Sequence, residues 1–414
     1  MVNLDLENGL VGLRNSQIRE FINNSQNRLK LLAPINERIL NPLIKKYQSD
    51  KWVKTLFTTN FIALYVFIGL SVGKTLSLRL IETISKSSFA KLFTGLANGV
   101  SRSGLSDRNE AIPAELFREL VLRLAQQVGR AGRKLINPQY KQIKIFDSTF
   151  ISLAHKLIPW ACQSLNKGLT SLTIRINEGS WIPEKIIIRN EPSDNAVFES
   201  LIDWTRQGVT YLFDRGFSAF EVFSRIIQSK NFFITRLPSG YVWEVLKELK
   251  IKEIKTDLLT ILHDQKIQVG GKSRKKTFLA RLITAVNAQG EMFYFLTNRF
   301  DLAAHEICEI YRRRWEIEIL FRWLKTQLKI ERVIAYTENG FYVQIYMALI
   351  FHLLIILYHR KLGVKGLTLL EVYRKLQAWI FDYWGYFMFR LGIRIRNGIL
   401  FGQKVALETG GMII

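Results

Sequence analysis

Cysteine and histidine are scarce in this sequence. Of 414 residues, two are cysteine (Cys162 and Cys308) and five are histidine. Two cysteines are too few for a disulfide framework or a cysteine-rich zinc cluster, so the composition favours a reducing compartment. His305 is followed by Glu306, but no second histidine lies four residues after His305, which excludes the zinc-protease helix motif. We therefore expect neither zinc nor a secreted, disulfide-bonded fold.

Long apolar runs and targeting signals are also missing. Two candidate runs cover about a dozen residues (61–72) and seventeen residues (342–358), and the second contains Gln344 and His352. A transmembrane helix needs about 20 apolar residues, so both runs predict buried helices in a large core. The acidic, polar first seven residues predict no signal peptide, and no long internal repeat is visible. These features predict a cytoplasmic protein that does not enter a membrane.

Acidic residues are too few to balance the basic ones. The chain has 59 lysines and arginines against 35 aspartates and glutamates, a formal net charge of +24. Such an excess indicates a polyanionic partner, either a nucleic acid or an acidic membrane surface. A hydrophobic fraction of 48% excludes wholesale disorder, and the length is enough for more than one core.

The most informative segment runs from residue 311 to residue 325. Tyr311, Arg314, Glu318 and Lys325 stand at offsets of 0, 3, 7 and 14. At about 100° per residue these positions share about a sixth of the circumference of a helix. One carboxylate is then flanked by two cations and a phenol. A carboxylate can bind a divalent metal and cations can bind phosphate oxygens, so the spacing predicts half of a site for cutting a nucleic acid strand.

Two apolar runs that end in an acid supply the other half. Asp147 follows the run 144–146, and Asp214 follows the run 209–213, with Gly216 marking a turn after it. In α/β sheets, ligands bind at the carboxyl ends of the strands. Two aspartates there, together with Glu318, could hold two metal ions roughly 3.5–4 Å apart, as enzymes that displace phosphoryl groups in line do.

Three other acids are set aside. Glu316 lies about 140° from Tyr311 on the helical wheel and therefore off the motif face. Asp194 and Asp203 lie between the two main aspartates, but neither ends an apolar strand. The sequence therefore favours Asp147, Asp214 and Glu318.

These blocks resemble the DDE-type transposases of bacterial insertion sequences, and most closely insertion-sequence family four. The hallmark of that family, Y-x2-R-x3-E-x6-K, is matched from Tyr311 to Lys325 without a gap. The first-aspartate block D-[ST]-T is present at Asp147–Thr149, and the second, D-R-G-F, at Asp214–Phe217. The resemblance covers roughly residues 141–329 and a helical N-terminal region.

The resemblance implies a fold, an activity and a set of partners. The fold is α/β, a ribonuclease-H-like catalytic core with a β-rich insertion subdomain and a helical N-terminal region. The catalytic acids Asp147, Asp214 and Glu318 would bind two Mg²⁺ ions, with Mn²⁺ able to substitute. The reaction would be cut-and-paste transposition through a DNA hairpin and strand transfer into target DNA. The partners would be double-stranded DNA and a second copy of the chain, in a prokaryotic cytoplasm at the nucleoid.

The resemblance also implies residues that contact DNA. Arg314, Lys325 and Tyr311 would hold phosphates near the cut, and Arg236 matches by position an arginine that holds the DNA end. Phe293 stands where the family has a tryptophan that stacks on a flipped base. Phenylalanine can stack as well, by roughly 1–3 kcal/mol per base, with less area and no indole donor. Trp243 is the second candidate for stacking.

Pattern and resemblance together predict five regions. They are a helical N-terminal DNA-binding region (1–140), a first part of the core (141–236), the β-rich insertion (237–300), a second part of the core with the motif helix (301–380) and a basic C-terminal segment (381–414). The core strands are predicted at 142–146, 169–176, 184–189, 209–213 and 232–236. The first and fourth would be adjacent in a ribonuclease-H-like fold, which makes Asp147 and Asp214 neighbours. Insertion strands are predicted at 258–263, 265–269, 276–285 and 292–296, with a basic hairpin tip at 270–276.

Two questions stay open at this point. The basic residues spread over 102–134 fit either a DNA-binding surface or a solvated face. A catalytically silent DNA-binding or inhibitory derivative of a transposase would need the same basic surface but no intact acids. All three acids are present, and Mg²⁺-dependent nicking of element-end DNA separates the two functions.

Overall fold

The chain forms two compact units. One comprises Met1–Leu120 and Val343–Ile414, and the other comprises Val121–Tyr342. The computed structural model describes residues 31–71, 77–132, 143–153, 160–164, 167–190, 193–238, 240–252, 254–270, 277–362 and 366–378. The predicted basic C-terminal segment and residues 271–276 of the hairpin tip lie outside the described residues. The boundaries predicted at 140, 236, 300 and 380 stay predictions.

The described part of the chain before residue 133 is helical, as predicted. The helices are α1 (Glu37–Tyr47), α2 (Thr58–Ser71), α3 (Leu78–Ser85), α4 (Ser88–Thr94), α5 (Arg102–Ala111) and α6 (Ala114–Gly132). Side chains of Asn36, Ser77, Ser87 and Ser101 accept hydrogen bonds from the first-turn amides of four of them. These caps explain why the helices begin where they do.

The last long helix is α11 (Glu338–Leu362), and a further helical stretch covers 369–378. Helix α11 is long and apolar enough to cross a membrane, but 83% of its most apolar window is buried inside the protein. A buried core helix was predicted for residues 342–358, and this burial agrees with it. The Tyr373 hydroxyl donates to the Gly69 carbonyl at 2.9 Å within the same unit.

The second unit is built on one sheet of ten strands. Their order is β2-β3-β1-β5-β6-β10-β9-β8-β7, with β4 paired to β3. The strands are β1 (Ile143–Leu153), β2 (Cys162–Ser164), β3 (Lys167–Asn177), β4 (Pro183–Arg189), β5 (Thr210–Leu212), β6 (Phe232–Arg236), β7 (Trp243–Glu248), β8 (Leu259–Val269), β9 (Phe278–Asn287) and β10 (Met292–Thr297).

One half of the sheet has the ribonuclease-H-like order. Strands β4, β3 and β1 pair antiparallel, whereas β1, β5 and β6 pair parallel. Helix α7 (Asp194–Leu201) precedes β5, and α8 (Phe220–Gln228) connects β5 to β6, as parallel neighbours require. The predicted adjacency of the first and fourth core strands is confirmed, because β1 pairs with β5.

The other half of the sheet is the insertion. Antiparallel strands β7–β10 continue the same sheet through pairing of β10 with β6, where Phe295 lies opposite Arg236. The strands predicted at 258–263 and 265–269 are one strand, β8, with a register shift between Ile261 and His263. Asp264 separates the two predicted strands because a charged residue is unusual inside a strand. In β8 it is buried, and its charge is paired with that of Arg281 at 2.7 Å.

Strand β7 was not predicted. All six of its residues are exposed, so the burial alternation that marks most strands is absent. Strands β8 and β9 are antiparallel neighbours, as the predicted hairpin requires.

Candidate active site

The two predicted aspartates lie at the same level of the sheet. Parallel pairing of β1 and β5 ends where Ile145 lies opposite Leu212. Asp147 and Asp214 each follow two residues later, so both carboxylates lie at the edge where β5 ends. The sequence predicted that β1 would end near residue 146, which is wrong. Strand β1 continues to Leu153 along β3, so the edge is created by the end of β5 alone.

A tight turn follows Asp214. The Phe217 amide donates to the Asp214 carbonyl at 3.2 Å, and the Phe217 ring is fully buried against Phe146. A Cβ added to Gly216 would lie 2.7 Å from Oδ2 of Asp194, so a side chain at this position would displace that carboxylate. The D-R-G-F block thus combines an acid, a glycine that leaves room for a second acid, and an aromatic anchor.

Asp194 lies close to this turn, although it does not end an apolar strand and was therefore set aside in the sequence analysis. It lies in the first turn of α7, next to Asn195, whose side chain accepts from the Ser218 amide at 2.7 Å. Its negative charge contributes to the raised pKa of Asp147. Sequence reasoning missed Asp194 because a helix start, rather than a strand end, carries it.

The motif helix is two helices rather than one. Helix α9 (Ala304–Arg312) ends before Arg313, and α10 (Trp315–Thr326) begins after Arg314, which is its N-cap residue. The prediction that Tyr311 and Glu318 share one continuous helix is therefore wrong. Glu316, set aside in the sequence, holds this break: its carboxylate accepts from the Gly179 amide at 2.8 Å in the β3–β4 turn.

Arg314 links two of the predicted acids. Its Nη1 lies 3.0 Å from Oδ2 of Asp147, and its Nη2 lies 2.5 Å from Oε1 of Glu318. The Arg314 side chain is only 12% exposed, so the contacts are shielded from water. Charge-assisted forks of this kind fix both carboxylates in place. The structure therefore brings Asp147, Arg314 and Glu318 together from sequence positions far apart.

Burial changes the acidity of Asp147. It raises the pKa of Asp147 to about 7; the Arg314 charge and a hydrogen bond from the Ser148 amide oppose the rise, and the charges of Asp214 and Asp194 add to it. A buried carboxyl with a raised pKa beside other carboxylates is typical of a functional site.

The carboxylates suit a hard divalent cation. Mg²⁺ and Mn²⁺ prefer carboxylate oxygens, and Asp147, Asp214 and Glu318 offer only such donors. Within the described residues, no three His, Cys, Asp or Glu side chains are grouped closely enough to hold a metal ion. The reason is visible in the geometry, because Arg314 lies between Asp147 and Glu318. The donor set fits a metal, provided that the Arg314 side chain moves aside.

A pocket of about 370 Å³ opens beside the acids. Its lining includes Arg236, Phe293, Tyr311, Arg314 and Trp315. The Arg236 guanidinium lies 5.1 Å from the centre of the Phe293 ring, and Tyr311 packs edge-on at 5.2 Å from Phe295. Burial raises the pKa of Tyr311 to about 12, so its hydroxyl is neutral at physiological pH. Four residues predicted to contact DNA therefore surround one cavity.

The sequence matches a known protein family over this site. Residues 138–354, more than half of the chain, match the family described as the transposase DDE domain. The chain belongs to this family. It is a DDE transposase, a DNA-cleaving and strand-transferring enzyme.

Individual relatives agree with this assignment. A putative transposase, y4zB, of Sinorhizobium fredii is 29% identical over 252 residues, covering 61% of this chain and 69% of that protein. A putative transposase for insertion sequence element IS4SA of Synechocystis sp. is 26% identical over 356 residues, covering 83% and 93%. A probable transposase for insertion sequence element IS5377 of Geobacillus stearothermophilus is 22% identical over 254 residues, covering 61% and 66%. The predicted resemblance to insertion-sequence transposases is confirmed.

The chain is also similar to a solved structure. The cryo-EM structure of the piggyBac transposase synaptic complex with hairpin DNA aligns with a TM-score of 0.44 and 12% identity, covering 83% of this chain and 76% of that one.

Lys325 of the transposase is held beside β1. Its Nζ donates to the Phe150 carbonyl at 2.8 Å and pairs with Glu331 at 3.0 Å. Phe150 lies three residues beyond Asp147, so Lys325 joins the end of α10 to the strand that carries the first acid. The structure thus places Lys325 near the acids, and its DNA contact stays a prediction.

Trp243 is not part of this constellation. It lies opposite Val269, which lies opposite Phe278 at the start of β9, whereas Phe293 lies opposite Ala285. Seven residues along β9 correspond to about 23 Å, and two further strands separate the side chains. The structure brings Phe293 to the pocket and does not bring Trp243 there.

Proposed function

We propose that this transposase moves DNA by cut-and-paste transposition, with Asp147, Asp214 and Glu318 as the catalytic acids. The observation that carries the proposal is the convergence of Asp147 and Glu318 on Arg314, with Asp214 at the same sheet edge. The cofactor is Mg²⁺, two ions per site, replaceable by Mn²⁺. Bound ions would activate the attacking water and stabilise the leaving 3′ oxygen.

The protein side chains position the DNA for this reaction. The two terminal nitrogens of Arg314 donate to Asp147 and Glu318. A DNA phosphate would compete with these carboxylates for the same donors. Arrival of the scissile phosphate therefore draws Arg314 away from the carboxylates as they become free for metal. Lys325 and the neutral Tyr311 hydroxyl provide further donors on the same side.

The pocket beside the acids supports a hairpin step. An extrahelical base would take the place of the Arg236 guanidinium over the Phe293 ring and stack there, with the phosphate beside Tyr311. The freed 3′ hydroxyl would attack the opposite strand, and the reopened end would join target DNA. We assign the transposase to insertion-sequence family four on its Y-x2-R-x3-E-x6-K spacing. It would work as a homodimer on paired ends, in a prokaryotic cytoplasm at the nucleoid.

Cleavage of DNA that carries the element ends tests the acids. The variants Asp147→Asn, Asp214→Asn and Glu318→Gln should each lose at least about 1,000-fold in Mg²⁺-dependent cleavage, as expected when a group acting in a joint unit is removed. Binding of the same DNA in a gel-shift assay should persist. Asp107→Asn is the matched control, because Asp107 is exposed on α5 and lines neither pocket.

Two results decide between functions. Undiminished cleavage by any of the three variants would remove that residue from the active site. Specific binding of end DNA by the wild-type protein without any cleavage in Mg²⁺ or Mn²⁺ would instead favour the silent, inhibitory derivative.

A further inference from the structure

A second and larger pocket lies away from the acids. Its volume is about 630 Å³, and its walls are the second half of α6 and the ends of β3 and β4. Side chains alternate between the faces of a sheet, so Arg175 and Asn177 of β3 share one face while Ile174, opposite Asp147, points to the other. The pocket is therefore on the sheet face opposite Asp147. Pockets of this size typically bind small molecules or parts of larger ligands.

Positive charge in and around this pocket exceeds negative charge. Arg130, Arg175 and Arg206 line it with the carboxylates Glu184 and Asp203. Lys144 pairs with Glu184, and the charge of Lys185 interacts with those of Arg175 and Asp203. Glu184 is shared between two of the cations, at 2.5 Å from Lys144 and 3.5 Å from Arg175. The Lys185 ammonium donates to the Ser200 carbonyl at 2.6 Å. The complement of such a pocket is an anion.

The cations repel one another. Burial lowers the pKa of Lys144, and although Glu184 opposes this, the positive charges of Arg175 and Arg206 lower it further. Burial also lowers the pKa of Lys185, with Arg175 adding to the effect. Charges that are partly withdrawn from water are screened less than exposed ones, so this repulsion is appreciable. A bound anion would relieve it.

Hydrogen-bonding capacity is also left over. Arg175 is 5% exposed, and its Nη1 donates to the Leu201 carbonyl at 2.5 Å. Its Nε has no hydrogen-bond partner within the described residues. Buried polar groups are normally satisfied, and Arg175 lines the pocket, so this donor is left for a ligand.

We propose that this pocket binds a phosphate group. Arg175 lies at its buried floor, while Arg130 and Arg206 are exposed at its mouth. Guanidinium groups bind phosphate through paired hydrogen bonds. Two exposed guanidinium groups and one buried guanidinium group along one pocket suit a tetrahedral anion that enters from solvent. The phosphate belongs to a free nucleotide or to a DNA backbone. Either way the site is separate from the cleavage site on the other face.

Calorimetric titration of the full chain with inorganic phosphate and with adenosine monophosphate tests the site. The mouth variants Arg130→Gln and Arg206→Gln should each weaken binding of both probes at least tenfold. Lys250→Gln is the control, since it removes the same charge from an exposed position just after β7, the strand at the other end of the sheet order from β3. It should leave both affinities unchanged. Arg175→Gln should abolish binding, and the mouth variants keep the test valid should that buried change prevent folding.

A competition arm identifies the source of the phosphate. If a 20-base-pair duplex without element ends displaces adenosine monophosphate from the wild type but binds Arg206→Gln several-fold more weakly, the ligand is the DNA backbone. If the nucleotide binds and the duplex does not displace it, the ligand is a free nucleotide. Equal affinity of wild type and both mouth variants for phosphate and nucleotide overturns the proposal.

Discussion

At the scale of single residues, Arg314 holds two of the three proposed catalytic acids. It is the only described side chain for which ion pairs to both Asp147 and Glu318 are observed, and its own side chain is largely buried. A carboxylate that is fixed by a guanidinium cannot at the same time offer the same oxygens to a metal. In the proposed mechanism, the arginine of the motif keeps the carboxylates paired until DNA arrives.

This role predicts opposite effects of Arg314→Gln on metal binding and on catalysis. The affinity of the DNA-free protein for Mn²⁺ should rise, because the competing cation is gone, and calorimetry measures it. Cleavage of end DNA should fall at least about 100-fold, since a phosphate ligand is lost. Arg225→Gln, on the surface of α8, is the control. An unchanged or weaker Mn²⁺ affinity would contradict the competition.

A second prediction concerns Asp147 and pH. Its folded pKa of about 7 lies above the ordinary value of 3.8, so the charged form is disfavoured in the fold and stability falls as pH rises between these values. Asp147→Asn removes this penalty but weakens the contact with Arg314. In metal-free buffer at pH 8 the variant should be more stable than the wild type by about 1–3 kcal/mol. Urea unfolding measures this difference.

The pH profile provides the check on the cause. The advantage of Asp147→Asn should shrink as the pH falls from 8 to 4, because the wild-type carboxyl becomes protonated and loses its penalty. A stability difference that is independent of pH would show that the charge of Asp147 is not responsible.

At the scale of elements, two connections set the geometry of the site. The break between α9 and α10 is held against the β3–β4 turn by Glu316 and by Arg313, whose Nη1 lies 3.5 Å from the buried Glu178. The turn after Asp214 is held against α7 by Asn195 and Ser218. Neither connection includes a predicted metal ligand, yet each determines where an acid lies.

Gly216 makes the second connection testable. In Gly216→Ala the added Cβ would meet the Asp194 carboxylate at 2.7 Å, so either that carboxylate or the turn that carries Asp214 must shift. Cleavage should fall about 10- to 100-fold, since small displacements of a catalytic group are costly. The double variant Gly216→Ala/Asp194→Ala removes the clash and should recover activity relative to Gly216→Ala. Kinetics of all three variants form the cycle.

The activity of Asp194→Ala alone shows whether Asp194 contributes to the reaction or only occupies space beside the turn. Activity near that of the wild type would mean that Asp194 only occupies space beside the turn. If the double variant is no more active than Gly216→Ala, steric contact with Asp194 is not the reason that glycine is needed.

At the scale of the whole molecule, the charge of +24 predicts strong, salt-dependent DNA binding. Neutralised phosphates release counterions, so the affinity for a duplex without element ends should fall at least about 100-fold between 50 and 200 mM salt. Fluorescence anisotropy measures this slope. An affinity that varies less than threefold over this range would mean that few basic residues contact the phosphates of one duplex at the same time.

Much of this molecule could be read from local patterns. Apolar runs predicted five of the six core strands, and the adjacency of β1 and β5 followed from the resemblance to a ribonuclease-H-like fold. Where local signals mislead, the prediction was wrong. Asp264 reads as a break although its ion pair with Arg281 buries it inside β8, and the exposed β7 shows no alternation at all. In both cases a partner distant in sequence decides the structure.

The sequence by itself determined the chemistry of the site: which acids, cations and aromatic residues are present and how they are spaced along the chain. Only the tertiary structure decided how they meet. It broke the motif helix at Arg313, brought Asp194 beside Gly216 and paired Arg314 with Asp147, which is 167 residues away. The physical reason is that spacing fixes directions only within one regular element. Contacts between elements depend on packing, turns and charge pairs that no single segment encodes.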